Sequence, residues 1–323
     1  TYFNVNRHIN PTDVCVASCK LCAFGKKVRD PKAYTMSLED GWARAAAGVN
    51  EAVTEFHIVG GLHPALTVDW YCEMLRGLKE RFPQVHLKAF TMVEIAYFAK
   101  RFKMPAEEVL RRLRESGMDS MPGGGAEIFS ERIRRIICDH KIDGGEWLEI
   151  AAMAHRMGIK SNCTMLYGHI ENEEDRVDHL VKLRAVQDQT GGFVTYIPLA
   201  FHPDNTPLEH VPKTTGFADL KNIAVARLML DNIPHIKAYW IMLGIGTAQA
   251  ALSYGADDLD GTVRHELIYH DAGATTPEIL SVAEIRRLIA EAGYEPVERD
   301  TLYRRVVRDE DGVAGTPHPC PEG

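Results

Sequence analysis

The chain has 323 residues, of which 45% are hydrophobic and 25% are charged, and its formal net charge is −8. This composition is typical of a soluble globular protein, and the negative charge argues against a nucleic-acid partner. No apolar run approaches the roughly 18 residues that a membrane span needs, and no charged-then-apolar leader opens the sequence, so we expect neither a membrane span nor a signal peptide.

Short β-rich runs alternate with amphipathic helical stretches along the chain, a pattern typical of βα units around a parallel sheet. Eight strands are predicted, at residues 2–6, 55–59, 86–90, 118–121, 159–167, 193–199, 235–240 and 256–259. Helices are predicted at residues 37–49, 67–82, 93–101, 105–116, 146–157, 173–190, 217–231, 247–254 and 276–292. Eight such alternations favour an α/β fold of the (β/α)8 TIM type, complete or partly open, over a two-domain α/β arrangement.

Local signals set two helix starts. Ser37 and Asp40 match a capping box, which predicts a helix that runs to about Val49. Thr276 followed by Pro277 predicts the start of a C-terminal helical extension that ends near Ala292. We therefore expect one barrel domain over residues 1–306, followed over residues 307–323 by a disordered tail rich in Gly, Pro and acids.

Three thiols stand at the spacing C-x3-C-x2-C, at Cys15, Cys19 and Cys22. They could close on one metal centre, but structural zinc normally takes four ligands in two pairs, and no fourth Cys or His follows at such a spacing. Iron–sulfur clusters commonly take four thiolates, so three would leave one iron open for a bound substrate. A redox disulfide, a partial zinc site and chance spacing are the alternatives. The other four cysteines are scattered and form no disulfide framework, so we expect the reducing cytoplasm.

This spacing, with Leu21 before the third cysteine and Phe24 two residues after it, resembles the radical S-adenosylmethionine (SAM) superfamily. The resemblance implies a [4Fe–4S] cluster on the three cysteines, with its open iron chelated by the amino and carboxylate groups of SAM. It also puts Leu21 and Phe24 among the cofactor-binding residues. One electron, from a donor such as flavodoxin or ferredoxin, then cleaves SAM and releases the 5′-deoxyadenosyl radical.

Two glycine-rich loops follow predicted strands, at the barrel end where functional groups gather. The resemblance assigns Gly60 and Gly61, whose free carbonyls could accept bonds from an ammonium, to the SAM amino group; a tight turn is the alternative. Successive amides of Gly123, Gly124 and Gly125 form an anion-binding nest suited to a carboxylate, and no Lys-Ser/Thr pair makes it a P-loop. Glu127 in the same loop is a candidate for a ribose hydroxyl or an ammonium, or else a solvated charge.

Further polar residues follow the later strands. His169 and His202 stand in adjacent barrel loops, and although a single histidine is more often structural, we expect at least one of them at the rim. Cations near strand ends could pair with a substrate carboxylate, namely Arg264, Arg7, Lys88 and Lys237. Asp257, Asp258 and Asp260 share one short loop, where they could bind a hard cation, cap the next segment or contact a polar substrate.

Longer strings narrow the resemblance to the aminofutalosine synthase family of radical SAM enzymes. They are PGGGAEI, SNCTMLYGHIE, GFVTYIPLAFHPDN and GADDLDGTV, and the similarity covers about residues 4–305. Cyclic dehypoxanthine futalosine synthases and deazaflavin-precursor synthases share part of them, but residues 6–11 and 257–262 look most like the first family. Cys163, where we expect a small residue, is a minor departure.

The family resemblance implies an addition rather than a hydrogen abstraction. The radical adds to the vinyl double bond of 3-[(1-carboxyvinyl)oxy]benzoate, and the adduct rearranges by aryl migration and loses a carboxyl group as bicarbonate. The product is 6-amino-6-deoxyfutalosine of the futalosine route to menaquinone, with SAM consumed and methionine released. A hydrogen-abstracting cyclase, a deazaflavin-precursor synthase and a non-radical barrel with a structural metal are the alternatives.

Such a radical reacts with almost any nearby C–H, so the site must exclude water and hold the alkene close. Apolar wall candidates are Phe90, Met165, Phe201 and Trp240. Two buried substrate carboxylates need cationic or N–H partners. The candidates for them are the glycines at 123–125, His202, His169 and Arg264.

Overall fold

The computed structural model describes residues 1–47 and 53–308. Its strands in chain order are β1 (Tyr2–Asn4), β2 (Asn6–Ile9), β3 (Glu55–Ile58), β4 (His86–Ala89), β5 (Ser120–Met121), β6 (Lys160–Tyr167), β7 (Phe193–Ala200), β8 (His235–Ile236), β9 (Asp258–Gly261) and β10 (Val297–Glu298). Strands β2 to β8 form one parallel sheet in sequential order. This sheet curls into a partly open barrel, as predicted.

Helices cover the outside of the curled sheet. They are α1 (Leu38–Ala46), α2 (Val68–Arg81), α3 (Met92–Phe102), α4 (Ala106–Glu115), α5 (Glu131–Ile137), α6 (Gly144–Arg156), α7 (Glu173–Thr190), α8 (Gly216–Met229), α9 (Trp240–Leu243), α10 (Ile245–Ala251), α11 (Ile268–Asp271) and α12 (Val282–Glu291). Because helices bury one side of the parallel sheet, its strands consist almost wholly of buried residues. Within the described ranges, no helix combines the length and the apolar character needed to cross a membrane.

A second sheet, in the order β10-β1-β9, lies where the barrel would otherwise stay open. An isolated parallel bridge joins Asp258 on β9 to Lys237 after β8, and a second one joins Arg264, three residues after β9, to Arg7 on β2. The predicted eighth strand therefore exists as β9, but it pairs with β1 and not with a strand of the main sheet. This arrangement gives the barrel seven regular strands and an irregular closure.

The structure corrects three sequence predictions. The first strand divides at Val5 into β1 and β2, which serve different sheets. The seventh strand ends at Ile236, and the residues from Trp240 form the short helix α9 instead. The last helix does not begin at Thr276 and Pro277, because Ser281 caps it through a capping box with Glu284. The two side chains of a capping box satisfy backbone N–H groups at the helix start. A start at Thr276 would have had the Thr276 side chain alone for this purpose.

The first capping box is confirmed, since the Ser37 side chain accepts from the backbone of Asp40 and the reverse bond is also present. The predicted end of that helix at Val49 and most of the predicted tail lie outside the described residues. Near the tail, the Arg308 guanidinium pairs with Glu298 on β10. The division into one domain over residues 1–306 and a tail stays a prediction.

Candidate active site

A cavity of about 460 Å³ opens at the carboxyl ends of the main-sheet strands. Sixteen of the residues singled out by the sequence line it: Cys15, Cys19, Leu21, Cys22, Phe24, Gly60, Gly61, Lys88, Gly123, Gly124, Gly125, Glu127, Phe201, His202, Lys237 and Asp260. Parallel strands end at one edge of a sheet, so loops far apart in the chain meet here. We call the cysteine loop and the two glycine loops the rim of this cavity.

The cysteine loop is tied down at several points. The Cys15 N–H donates to the carbonyl of Lys26 at 2.8 Å, and the Lys20 N–H donates to the carbonyl of Ile137 at 2.8 Å. Behind the loop, the fully buried carboxylate of Asp13 accepts from Lys26 Nζ at 2.9 Å. These contacts fix a segment that has no regular secondary structure of its own.

The cysteines are free and half-buried. The Gly25 N–H points at Cys22 Sγ at 3.3 Å and the Leu62 N–H at Cys15 Sγ at 3.4 Å. Burial raises the pKa of the Cys19 thiol to about 12, so the sulfur ionises readily only when a cation takes the place of its proton.

These features fit an iron–sulfur cluster, because N–H donors to sulfur and partial burial are the means by which proteins tune such clusters. Within the described residues, no group of three or more Cys, His, Asp and Glu side chains is drawn together around a single ion. A cluster of four irons is several ångströms across, so its ligands stand farther apart than those of one ion.

The first glycine loop requires glycine because it touches the cysteine segment. A Cβ atom at Gly61 would lie 2.2 Å from the carbonyl oxygen of Val14, whereas one at Gly60 would lie 3.1 Å from the carbonyl of Thr12. The Gly61 N–H donates to that Thr12 carbonyl at 2.8 Å. Over the described ranges, no donor reaches the Gly60 and Gly61 carbonyls, which leaves them available as acceptors.

Glu94, which the sequence did not single out, lies beside this loop and lines the cavity. Its carboxylate accepts from the N–H of Thr91 at 2.7 Å and from the N–H of Gly60 at 3.3 Å. Burial nevertheless raises its pKa to about 7. The capping box of α3, visible in the sequence as Thr91 three residues before Glu94, was the signal for this contact.

The second glycine loop packs against β6 and α6. A Cβ at Gly123 would lie 2.7 Å from Cys163 Cα, and Gly125 has a φ of +79° that favours glycine. The Thr164 hydroxyl donates to the Gly123 carbonyl at 2.7 Å and the Trp147 indole donates to the Gly124 carbonyl at 3.2 Å. The carbonyls of Gly123 and Gly124 therefore already accept hydrogen bonds from protein side chains.

Glu127 is buried, so the solvated-charge alternative is wrong. Burial alone would raise the pKa of its carboxyl, but the adjoining Lys141 ammonium holds that pKa below its usual value. The buried guanidinium of Arg134 donates to the carbonyls on both sides, those of Ala126 and Ile128. Glu127 therefore enters the rim with its charge already balanced.

The two histidines differ in position. His202 lines the cavity; its Nε2 donates to the Met242 carbonyl at 2.9 Å, and its Nδ1 has no partner in the described part of the chain. Since a carbonyl only accepts, Nδ1 of the neutral ring is left as an acceptor. The His169 side chain is fully buried against Glu171, at 2.9 Å, and is not among the lining residues.

Arg264 also lies away from the lining residues, in the bridge that closes the barrel to Arg7. Its carbonyl accepts from the His8 N–H at 2.9 Å. Arg7 donates to the Ala45 carbonyl at 2.7 Å, on the helix side of the sheet. Neither arginine is among the residues that line the cavity.

Below the rim, the strands carry polar side chains into the barrel. We call His8, His57, Lys88, Lys237 and Asp260 the floor. Lys88 Nζ lies 2.7 Å from Glu55 and Lys237 Nζ lies 2.8 Å from Asp260. These two lysines are the members of the four cations named from the sequence that line the cavity. The rings of His8 and His57 stack at 4.5 Å, and burial lowers the pKa of both.

The two floor histidines, His8 and His57, were not among the residues predicted from the sequence, although the sequence held a signal for them. Glu55 and His57 alternate with apolar residues on β3, and Asn6 and His8 occupy the matching alternate positions of β2, where Arg7 stands between them. Alternate residues of a strand share one face. Polar alternation in a buried strand therefore indicated the inner face of the barrel.

The three acids of the predicted loop have separate partners. Asp257 accepts from Arg227 at 2.9 Å, Asp258 from Arg299 Nε at 2.6 Å, and Asp260 from Lys237. The described residues hold no cation site here. Asp260 alone reaches the cavity.

The apolar walls are only partly those named from the sequence. Phe201 lines the cavity, whereas Phe90, Met165 and Trp240 lie in the buried core outside its lining. On β6 it is Leu166, with Asn162 and Thr164, that faces inward. A shift of one residue moves a strand side chain to the other face, so the wall depends on register.

Residues 9–183 match the model of the radical SAM superfamily, and residues 190–310 match that of the CofH/MqnC C-terminal region. The chain is 46% identical over 310 residues to the aminodeoxyfutalosine synthase of Thermus thermophilus, covering 95% of this chain and 83% of that protein. It is 45% identical over 322 residues to the aminodeoxyfutalosine synthase of Streptomyces coelicolor, with coverage of 96% and 83%.

Another relative carries a different name. The 5-amino-6-(D-ribitylamino)uracil--L-tyrosine 4-hydroxyphenyl transferase of Methanopyrus kandleri is 43% identical over 309 residues, covering 94% of this chain and 84% of that protein. Among solved structures, methylornithine synthase (PylB) superposes with a TM-score of 0.66 at 17% identity, covering 91% of this chain and 83% of that one. At such an identity the likeness is one of fold.

Proposed function

This chain belongs to the radical SAM superfamily, whose members use a [4Fe–4S] cluster and SAM, and from this premise we propose that it is an aminodeoxyfutalosine synthase. The observation that carries the proposal is the identity of 46% and 45% to two enzymes of that name over nearly the whole chain. The substrate is 3-[(1-carboxyvinyl)oxy]benzoate, to which the 5′-deoxyadenosyl group is transferred. The product is 6-amino-6-deoxyfutalosine of menaquinone biosynthesis.

In this proposal the rim holds the cluster and SAM. Cys15, Cys19 and Cys22 would hold the cluster, which would supply the single electron that cleavage of SAM needs. The unoccupied carbonyls of Gly60 and Gly61 accept hydrogen bonds from the SAM ammonium. Leu21 and Phe24 pack against the cofactors from the same loop that carries the thiols.

The second glycine loop and Glu127 complete the cofactor side. Glu127 has one carboxylate oxygen on Lys141, and its other oxygen accepts a ribose hydroxyl. Gly123, Gly124 and Gly125 let the chain approach the nucleoside closely, since none of them carries a side chain into the cavity. His202 Nδ1, which has no partner among the described residues, accepts a further hydroxyl.

The floor binds the substrate carboxylates. Lys88 and Lys237 are each held by one carboxylate, and an ammonium has three N–H donors, so donors remain for a ligand. The N–H groups of His8 and His57 add neutral donors at the same depth. This assignment replaces His169 and Arg264 as carboxylate partners, because those side chains lie away from the cavity.

The remaining wall excludes water from the radical. Leu166, Ile197, Leu199 and Phe201 come from β6, β7 and the loop after β7, while Tyr269 comes from α11. Apolar side chains around the reacting carbons prevent side reactions with solvent and hold the alkene near the 5′ carbon.

The test is anaerobic incubation of the reconstituted protein with SAM, a reductant and 3-[(1-carboxyvinyl)oxy]benzoate, followed by mass spectrometry. We expect a product that carries the whole adenosyl group and does not form with Cys19→Ala. Cys72→Ala is the matched control, since Cys72 is buried on α2 away from the cavity. Free 5′-deoxyadenosine without an adduct would indicate hydrogen abstraction and reject the proposal.

A second candidate follows from the 43% identity to the archaeal transferase. In that case the protein would join the 4-hydroxyphenyl group of L-tyrosine to 5-amino-6-(D-ribitylamino)uracil. Parallel incubations with the two substrate sets separate the candidates, because only one set should be consumed. We further propose that the protein acts in the cytoplasm with a small protein as electron donor.

A further inference from the structure

Positive charge is concentrated around the cysteine loop of this acidic protein. Residues 14–36 contain five Lys and Arg residues but one Asp or Glu, whereas the whole chain has a formal net charge of −8. The side chains of Lys20, Lys27, Arg29 and Lys32 are exposed. The ion pairs formed by described residues of this segment involve Lys26, with Asp13 and Asp271, and none of those four cations.

Exposed cations on several helices are neutralised differently. Arg111 pairs with Glu108 and Glu115 on α4, and Arg287 pairs with Glu291 on α12. Near the cysteine loop, Glu131 pairs with Arg135 and Asp139 pairs with His140, and Asp30 is the single acid within the segment. The loop segment therefore carries more exposed cations than acids, whereas the helix faces named above carry balanced pairs.

Apolar side chains accompany this charge. Val16 is 43% exposed, Val28 is 58% exposed and Ile136 is 42% exposed. Two backbone hydrogen bonds hold these positions around one loop, from Cys15 to the Lys26 carbonyl and from Lys20 to the Ile137 carbonyl, both at 2.8 Å. Exposed apolar residues amid unpaired cations have the composition of an interface, with apolar contacts inside and charge outside.

We propose that this face docks a small acidic one-electron carrier protein. We call it the loop face: Val16, Lys20, Val28, Arg29, Lys32 and Ile136. The proposal rests on the superfamily chemistry alone and not on the identity of the organic substrate. The carrier loses one electron and the cluster held by the same loop gains it, so no other reactant is needed.

Location and charge support the same partner. Cys19 and Cys22 are half-buried in the loop that bears Lys20, so a carrier on this face stands close to the proposed cluster. Interfaces between electron-transfer partners are small and short-lived, and complementary charge raises their association rates by about 10- to 1,000-fold. An acidic carrier would otherwise be repelled by the net charge of this protein.

The test is anaerobic stopped-flow reduction of the reconstituted cluster, in the absence of organic substrate, by an acidic flavodoxin hydroquinone. The variant is K20E/R29E/K32E, which leaves out Lys27 because that residue also lines the cavity. The control reverses three exposed cations at the opposite end of the barrel, K100E/R156E/K160E, for the same change of net charge. Reduction by dithionite reports on the cluster itself.

We expect the loop-face variant to be reduced by flavodoxin at least about ten-fold more slowly at low salt, with the difference shrinking at high salt as the charges are screened. Iron content and dithionite reduction should match the wild type. Equal slowing in the control variant, unchanged flavodoxin reduction, or slower dithionite reduction in the loop-face variant would each overturn the proposal.

Discussion

The rim and the floor present polar groups to one cavity by opposite means. The rim works through backbone: the acceptors are carbonyls of Gly60 and Gly61, and the approach of chain to chain depends on missing Cβ atoms. The floor works through long side chains whose charges are balanced inside the barrel, as in Lys88 with Glu55. A change at the rim should therefore displace the chain, whereas a change at the floor should leave a charge without its partner.

The largest loss of stability should come from removing the buried ion pair of Lys88 at the floor. Lys88→Met leaves Glu55 buried without its cation, and we expect the free energy of unfolding of the apo-protein to fall by about 3–5 kcal/mol, measured by urea denaturation. K88M/E55Q should recover part of that loss, because neither partner then carries a charge. If Lys88→Met alone were as stable as the wild type, the Lys88–Glu55 ion pair would not stabilise the floor.

Substitutions at the rim should lower the free energy of unfolding by a smaller amount, and this amount should depend on which glycine is changed. Gly123→Ala puts a Cβ against the backbone of β6, so its cost should be about 1–3 kcal/mol in the free energy of unfolding. Gly124→Ala meets only the Thr91 methyl group at 3.2 Å and should cost less than Gly123→Ala. Similar losses for the two variants would contradict the view that backbone contact controls this loop.

Substitutions of His202 and His169 should differ in their effect on ligand binding. His202→Ala should weaken ligand binding by about 1 kcal/mol, roughly five-fold in KM, because one hydrogen bond is lost. His169→Ala should lower Tm without changing KM, since it removes a fully buried side chain and leaves Glu171 with Arg176 and backbone N–H groups as its partners. The reverse pattern would return the catalytic role to His169, as the sequence alone suggested.

The smallest effect should be a dependence of Tm on pH that comes from His270, on the helix α11 beside the cavity. A hydrogen bond to Glu266 raises the pKa of His270 to about 9. A raised pKa stabilises the fold fully below the ordinary value of 6.5, and this contribution is lost as pH rises through about 9. The Tm of the wild type should exceed that of His270→Gln at pH 6 and match it at pH 10, and a constant difference would exclude the link.

The rim could be predicted from the sequence because its parts are local. The cysteine spacing and the glycine runs are short strings, and each lines the cavity as expected. The floor was predicted only in part, since Lys88, Lys237 and Asp260 were named from the sequence and His8 and His57 were not. The apolar wall was harder to predict, because it depends on which residue of each strand faces inward: Leu166 faces the cavity while Met165 does not. The barrel itself was predictable from eight alternations, but the division of residues 2–9 into two strands was not, since only the pairing partners of β1 reveal it.

The pairing of β1 has a consequence for biogenesis. Tyr2 and Phe3 pair with Val297 and Glu298, and Asn4 pairs with Gly261. A ribosome makes residues 2–4 long before residues 297 and 298, so β1 must wait while the rest of the barrel emerges. Contacts so distant along the chain form slowly, and the strand that precedes the cysteine loop would take its final place only after β9 and β10 have been made. Assembly of the cluster on a fully closed barrel is then a late event in the life of the molecule.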